Sequence, residues 1–402
     1  MALDDRLRDD ALALSPELVR IRHALHQTPE VGLNLPVTQE TVLAELDGLG
    51  LEVTTGDQLS SVTAVLRGGH PGPAVLLRAD MDALPVTEAT GLDFASRTPG
   101  AMHACGHDLH TAMLVGAARV LAAHRDEVCG DVVLMFQPGE EGWNGAGLML
   151  DEGVLGAAGH PVTSAYGMHV FSSRYPRGTF TTRPGTLMAA SDALFVTVHG
   201  VGGHGSAPHL GRDPVTAAAE MVTALQTMVT RRFDAFDPVV VTVGTFHAGS
   251  RYNIIPDDAV FQATIRTFSA AAREQMRVEA PNLCERIGAA HGLDVEAEFR
   301  EEYPPTVNDP GHVQFATEVV EDVIGEGRSQ PLPHPVAGAE DFSRVLEAVP
   351  GCYIFLGAHT GDRPDGDDNH SPRATFDDAV MADGTLLHAQ LAIRALQRDA
   401  VA

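Results

Sequence analysis

The sequence predicts an α/β protein: a main domain built on a mostly parallel sheet, interrupted by a smaller α+β (ferredoxin-like) domain. Up to about residue 140, apolar strand segments alternate with helical segments, which is typical of parallel strands joined by crossover helices. A later block has the order β-α-β-β-α-β, which favours an antiparallel sheet covered by two helices. The chain has 402 residues, more than the roughly 250–300 that one hydrophobic core usually serves. Two domains are therefore expected.

The main domain is predicted at residues 1–186 plus 304–402. Residues 4–50 have helical periodicity, with a helix start at Ser15 and a second helix from Pro36 to about Leu49. The later elements of this domain are strands at 61–66, 74–78, 131–136 and 352–356, and helices near 109–121, 310–325 and 377–398. Continuous apolar character in the second and third of these strands suits burial on both faces.

The inserted domain is predicted at residues 187–303. Its strand segments alternate between apolar and polar residues, as half-exposed strands do. The predicted elements are strands at 194–199, 239–246, 259–267 and 295–299, and helices at 213–231 and 270–291.

The charge composition excludes several classes of function. A formal net charge of −27 and a pI near 4.9 argue against a nucleic-acid partner, because phosphate backbones reward clustered Lys and Arg. The chain contains no Lys. Lysine Schiff-base chemistry, pyridoxal phosphate attachment and a P-loop are therefore excluded.

A cytoplasmic location is predicted. The N-terminus is charged and lacks the apolar segment of a signal peptide. No apolar run reaches the roughly 18 residues of a membrane span, so no membrane partner is expected. The four cysteines have no paired spacing, which fits a reducing compartment; they are Cys105, Cys129, Cys284 and Cys352.

Two short pairs of residues predict a site for transition metals. Cys105 and His107 flank Gly106, which would let both side chains turn to one side of an extended loop. A structural thiol beside a hydrogen-bonded histidine is the alternative for this pair alone. Glu140 and Glu141 follow an apolar strand, and in extended chain one carboxylate could bind an ion while the other holds a water. A solvated pair of glutamates on the surface is the alternative for this pair alone.

Further oxygen and nitrogen donors lie elsewhere in the chain. Asp80 and Asp82 leave the end of a buried strand, where ligand sites of open α/β sheets are found, although a solvated acidic turn has the same pattern. His169 and His370 could add nitrogen ligands, although a single histidine is more often structural. Together these groups suffice for two divalent ions, and sulfur, nitrogen and oxygen donors are compatible with Zn²⁺, Mn²⁺, Co²⁺ or Ni²⁺.

Seven segments resemble, in order along nearly the whole chain, the aminoacylase-type di-metal amidohydrolase and peptidase family. The resemblance is to the branch that holds hippurate hydrolases, N-acyl-L-amino acid amidohydrolases and plant auxin-conjugate hydrolases. The segments are RADMDALP at 78–85, HACGHD at 103–108, FQPGEEG at 136–142, GGHGSAPH at 202–209, YNIIP at 252–256, GAEDF at 338–342 and NHSP at 369–372.

The resemblance implies a role for each of these positions. The metal ligands would be Cys105, His107, Glu141, His169 and His370, with Cys105 shared by the two ions. The other implied roles are a general base at Glu140, a supporting acid at Asp82, an oxyanion-stabilising group at His204 and a substrate contact at Asn253. Asp80 stands where the wider peptidase relatives have a histidine ligand, which favours the amidohydrolase branch and leaves the role of Asp80 open.

The implied reaction is metal-dependent hydrolysis of the amide bond of N-acyl amino acids. A dipeptidase or carboxypeptidase on the same scaffold is the alternative. A non-catalytic metal-binding relative is disfavoured, because such a protein has no need of a base beside its ligands. The family also implies that the main domain is the di-metal catalytic domain and that the inserted domain is a lid or dimerisation domain. It implies a homodimer or higher homo-oligomer in which the glycine-rich segment 200–209 brings His204 to a partner's ions, or to its own after closure. A flexible surface loop would have the same glycine pattern.

Overall fold

The structure is a computed structural model that describes residues 2–361 and 366–400. Its helices in chain order are α1 (Leu3–Ala13), α2 (Ser15–Gln27), α3 (Pro36–Leu46), α4 (His107–Ala123), α5 (Gly145–Asp151), α6 (Pro214–Arg232), α7 (Ala270–Ala290), α8 (Pro310–Val323), α9 (Ser343–Ala348) and α10 (Met381–Asp399). Its strands are β1 (Glu52–Thr55), β2 (Val62–Arg67), β3 (His70–Asp80), β4 (Cys129–Gln137), β5 (Val162–Phe171), β6 (Phe180–Thr182), β7 (Gly185–Met188), β8 (Ser191–His199), β9 (Gly203–His204), β10 (Val239–Ala248), β11 (Ile254–Ile255), β12 (Asp258–Thr267), β13 (Asp294–Tyr303), β14 (Thr306–Asn308), β15 (Ser329–Pro331) and β16 (Gly351–Gly357).

Two compact units share these elements. The first comprises 1–187, 307–334 and 344–402, and the second comprises 188–306 and 335–343. The second unit thus includes a short segment near residue 340 that lies outside the block proposed from the sequence. The division into a catalytic domain at 1–186 plus 304–402 and a lid or dimerisation domain at 187–303 stays a prediction as regards function.

The first unit contains a mixed sheet in the order β1-β2-β4-β3-β5-β16-β6-β15. The central strands β4, β3, β5 and β16 are parallel neighbours, and antiparallel pairs occur towards the flanks. This agrees with the α/β class expected from the sequence. Helix α4 joins the neighbouring parallel strands β3 and β4, and its apolar residues Leu109, Met113 and Leu121 are buried in the core.

The carboxyl ends of the central strands lie at one edge of this sheet. Asp80 at the end of β3 pairs with Gln137 at the end of β4, and His169 near the end of β5 pairs with Phe355 of β16. The segments that follow these strands therefore start close together, which is the geometry that places ligand sites at the carboxyl edge of parallel sheets.

The second unit has an antiparallel sheet in the order β10-β12-β8-β13. Helices α6 and α7 share one core with it, through residues such as Leu194, Phe261, Met221 and Met276. Both helices begin at side-chain caps: Asp213 accepts from Val215 N–H, and Ser269 accepts from Ala272 N–H. The expected β-α-β-β-α-β order is present, with the two-residue strands β9 and β11 added to it.

Several element boundaries differ from the sequence expectation. Strand β3 runs from His70 to Asp80 and is therefore longer than the expected strand at 74–78. Helix α3 ends at Leu46 rather than Leu49. Strand β5 was not predicted at all. No helix in the described part of the chain is long and apolar enough to cross a membrane.

Candidate metal centre

The loop that joins β3 to α4 brings Cys105 and His107 together through a left-handed glycine. Gly106 has φ +84°, and a Cβ atom there would lie 2.4 Å from Val170 Cγ2. Only glycine combines that backbone conformation with such close packing. The expected extended loop is therefore corrected: Gly106 is left-handed and His107 is the first residue of α4.

The Cys105 sulfur lies between two imidazoles. Cys105 Sγ is 3.4 Å from His169 Nε2 and 3.3 Å from His370 Nε2. His370 Nε2 is in turn 3.3 Å from Glu141 Oε1. The hydrogen bonds to the thiol and to the carboxylate raise the pKa of His370 to about 10, which shows how strongly this position favours a positive charge.

Groups of donors whose ligand atoms lie within 4.8 Å of one another could each hold a metal ion. Three overlapping groups consist only of residues singled out from the sequence. They are Cys105–His107–His169, Cys105–Glu141–His370 and His107–Glu140–Glu141. Cys105, His107 and Glu141 each belong to two of the groups, so the arrangement suits two neighbouring ions with shared or adjacent ligands.

His169 is oriented by its own strand. Its Nδ1–H donates to the Val170 carbonyl at 2.8 Å, so the tautomer leaves the Nε2 lone pair directed at the Cys105 sulfur. Burial, assisted by the neighbouring His110, holds the pKa of His169 well below its ordinary value. A neutral imidazole with a free lone pair is the form that binds a metal.

His107 is buried, and neither of its ring nitrogens has a hydrogen-bond partner among the described residues. Nε2 lies 3.6 Å from Asp80 Oδ2, and Nδ1 lies 3.4 Å from Asp82 Oδ1. Burial opposes protonation, yet the Asp80 charge, together with Asp82 and Cys105, holds the pKa of His107 well above its ordinary value. Buried nitrogens without a hydrogen-bond partner, beside such a concentration of negative charge, fit a bound cation.

Glu140 and Glu141 lie in a turn after β4, not in extended chain as expected from the sequence. The Asp82 carboxylate organises that turn: Oδ1 accepts from Glu140 N–H at 3.0 Å and Oδ2 accepts from Glu141 N–H at 3.1 Å. Asp82 thus holds the backbone N–H groups of both glutamates, from which the two side chains project. Asp82 therefore contacts the candidate centre through the backbone of these two glutamates, and its supporting role stays a prediction.

Asp80 belongs to a buried charge network. It accepts from Arg78 Nη1 at 2.6 Å and from His110 Nδ1. His110 Nε2 accepts from Val170 N–H at 2.8 Å, so both of its nitrogens are engaged within the protein. Burial opposes ionisation of Asp80, but the Arg78 and histidine charges hold its pKa well below the ordinary value. Asp80 and His110 also form a group with His107 whose ligand atoms lie within 4.8 Å of one another. The role of Asp80 stays open, and sequence reasoning did not single out His110.

A second support lies behind the loop. The buried Asp108 carboxylate accepts from Arg22 Nε at 2.9 Å and from His26 Nδ1 at 2.8 Å. Arg22 also donates to Asp378 at 2.6 Å. These bonds join α2 and the segment before α10 to the first turn of α4, which carries His107. Sequence reasoning missed this network because its members are far apart in the chain.

His204 and Asn253 lie together in the second unit. His204 on β9 pairs with Ile254 on β11, and Gly205 N–H donates to the Asn253 carbonyl at 2.8 Å. His204 is exposed, and its Nδ1 faces the Ser206 hydroxyl at 2.8 Å and accepts from Ser206 N–H at 3.1 Å. Its Nε2 is the nitrogen left for an external group.

The fold and the donor cluster define a hydrolase with residues positioned to bind metal ions. The chain belongs to the peptidase family M20/M25/M40, whose model matches residues 76–394. It is 39% identical over 398 residues to thermostable carboxypeptidase 2 of Saccharolobus solfataricus, covering 98% of this chain and 99% of the relative.

Two further relatives carry amide-hydrolase names. The IAA-amino acid hydrolase ILR1-like 4 of Arabidopsis thaliana is 36% identical, with 94% of this chain and 86% of the relative covered. The N-acetyl-L-cysteine deacetylase of Bacillus subtilis is 36% identical, with 92% and 85% covered. The crystal structure of a Bacillus subtilis protein, described as a dinuclear metal-binding peptidase from the M20 family, superposes with a TM-score of 0.82 at 31% identity, covering 96% of this chain and 99% of that one.

Proposed function

We propose that this chain hydrolyses the amide bond of N-acyl amino acids with two divalent ions. The observation that carries the proposal is the overlap of three donor groups around Cys105, His107 and Glu141, with a second carboxylate, Glu140, in the same turn. Ions held at such a cluster would polarise the substrate carbonyl and lower the pKa of a water towards ~7.

The proposed ligands are Cys105, His107, Glu141, His169 and His370, with Cys105 shared. Support comes from His169 Nε2, which faces the Cys105 sulfur, and from the two ring nitrogens of His107, which have no hydrogen-bond partner among the described residues. Zn²⁺, Mn²⁺, Co²⁺ and Ni²⁺ all accept this set of sulfur, nitrogen and oxygen donors.

Glu140 is proposed as the general base and then the general acid. Its carboxylate accepts a proton from the attacking water while the water oxygen bonds to the acyl carbon. The carbon–nitrogen bond then breaks, and Glu140 delivers the same proton to the leaving amine. Asp82 holds the Glu140 peptide N–H throughout, so the carboxylate keeps its direction. The products are a carboxylic acid and a free amino acid.

The carboxypeptidase relative at 39% identity supports a second candidate, removal of a C-terminal residue from peptides. An assay of the metal-reconstituted enzyme separates the two. N-acetyl, N-benzoyl and N-indoleacetyl derivatives of one amino acid are compared with dipeptides that carry the same C-terminal residue. The amidohydrolase proposal expects kcat/KM values at least about tenfold higher for the acyl derivatives. A preference for the dipeptides would overturn it.

We further propose a homodimer in which the second unit supplies His204 as the oxyanion-stabilising residue and Asn253 as a substrate contact. Strand β10 is an edge of its sheet, and its residues from Gly244 to Ala248 are exposed. An exposed edge strand is commonly covered by twofold pairing.

Mixing two inactive variants tests whether His204 acts across the dimer. H204A and E140Q are combined under conditions in which subunits exchange. If His204 acts on the partner's site, one site in each mixed dimer has both native residues, and up to about half of the sites in those dimers recover. Demonstrated exchange without recovery would place the action of His204 within its own subunit.

A further inference from the structure

Asn369 is the residue before His370, and a backbone N–H group of Ser172 sets the orientation of its side-chain amide. Its Oδ1 accepts from Ser172 N–H at 2.9 Å and from the Ser172 hydroxyl at 3.0 Å. A backbone N–H can only donate, so the oxygen must face Ser172 and the amide nitrogen must face the opposite way.

The amide nitrogen of Asn369 faces the candidate metal centre. Nδ2 donates to the Val170 carbonyl at 3.0 Å, and it lies 3.3 Å from the Cys105 carbonyl and 3.7 Å from Cys105 Sγ. Nδ2 has two hydrogens for these three acceptors. One is taken by Val170, whose carbonyl also accepts from His169 Nδ1, and the other is directed at the Cys105 carbonyl and sulfur.

The same turn holds His370 in an unusual backbone conformation. His370 has φ +71°, a region that residues other than glycine adopt only when their surroundings hold them there. Its N–H donates to the Ala104 carbonyl at 2.9 Å. The turn is thus fastened to the Cys105 loop twice, through the His370 backbone and through the Asn369 side chain.

We propose that Asn369 is a positioning residue that acts on the thiolate of Cys105. Its N–H donates to the sulfur, withdraws electron density from it and fixes the direction in which it faces the ions. The same amide ties together the three segments that carry Cys105, His169 and His370. This inference rests on the proposed ligand set. A brace that bonds only to the two backbone carbonyls would hold the segments without changing the sulfur.

Cobalt spectroscopy separates these readings. Wild-type, N369A and S172A proteins are loaded with Co²⁺, and the near-ultraviolet sulfur-to-cobalt charge-transfer band and the Co²⁺ affinity are measured. Ser172 touches only the oxygen side of Asn369, and its backbone N–H remains in the variant, so S172A is the matched control. We expect N369A to bind Co²⁺ about 10–100-fold more weakly, with the band moved to longer wavelength because the thiolate becomes more electron-rich. S172A should change neither.

The outcomes distinguish this inference from the proposed function. Weaker Co²⁺ binding in N369A with an unmoved band would overturn the inference and leave a structural brace. Absence of the sulfur band in the wild-type protein would overturn Cys105 as a ligand, and the inference with it. An intact, Asn369-dependent band in an enzyme that cleaves no acyl amino acid would overturn the proposed substrate alone. If N369A does not fold, the isosteric N369D replaces it. N369D keeps the oxygen that faces Ser172 and lacks the N–H donor that faces Cys105. An unmoved charge-transfer band in N369D would also overturn the inference.

Discussion

The candidate metal centre and the His204 loop both contain histidines, but the side chains of the two regions are oriented in different ways. At the centre, His169 is oriented by Val170, and the two glutamates are oriented by Asp82. His204 is exposed, and its ring is oriented by Ser206, two residues away on its own loop. A metal cluster needs donors whose directions are settled before the ion arrives. A residue that stabilises a transition state, as proposed for His204, can instead lie on a small, locally ordered loop.

The largest expected effect comes from separating the two glutamates. E140Q should lower kcat by at least about 10²–10⁴-fold, because proton transfer is lost, while its metal content stays at the wild-type level. E141Q should lose metal, because a carboxamide is a poorer ligand than a carboxylate. Metal content by atomic emission and kcat are measured on both variants. Equal metal loss in the two would contradict the assignment of Glu140 as the general base and Glu141 as the ligand.

His204 should be separable from the metal centre. H204A is expected to lower kcat by about 10²–10³-fold, as removal of one oxyanion-stabilising donor does, with unchanged metal content and unfolding temperature. S206A serves as the control, since it removes the hydroxyl partner of Nδ1 and leaves the imidazole in place. Metal loss in H204A would contradict the independence of the two regions.

The network behind the metal loop should make stability depend on pH. Burial opposes protonation of His26, but the Asp108 and Glu88 carboxylates outweigh it and raise the pKa of His26 to about 9. The folded-state pKa exceeds the unfolded value of about 6.5, so the stabilisation is fully present below pH ~6.5 and is lost as pH rises through about 9. Between pH 7 and pH 9 this loss is about 2 kcal/mol.

The control for this prediction is H26Q, which keeps a hydrogen-bond donor and does not titrate. Free energies of unfolding of wild type and H26Q are compared at each pH with the same metal loading, because metal binding is itself pH-dependent. The difference between the proteins should shrink from pH 7 to pH 9. A difference that is constant with pH would show that His26 is neutral at pH 7.

The smallest expected effect is on thiol reactivity. A metal-bound thiolate is protected from alkylation, so removal of the ions by a chelator should raise the alkylation rate of Cys105 by about tenfold or more. Two of the other three thiols are internal controls. Cys284 and Cys352 are buried, burial raises the pKa of each to about 12, and their rates should not respond to the chelator. Equal Cys105 rates with and without metal would argue against its role as a ligand.

The sequence by itself determined the α/β class, the β-α-β-β-α-β block and the candidate donors. Apolar periodicity reports which faces are buried, and Cys, His and Glu at close spacing report ligand chemistry. These features are local, and local patterns are what a sequence displays.

Only the tertiary structure decided how the donors are held. The turn at Glu140 and Glu141 depends on Asp82, some 58 residues earlier in the chain. The Asn369 amide meets the Cys105 carbonyl across 264 residues, and no periodicity connects such partners. Strand β5 also escaped prediction, although it carries His169. Hydrogen-bond direction arises from the meeting of distant segments at one sheet edge, so it becomes visible only once the strands are in place.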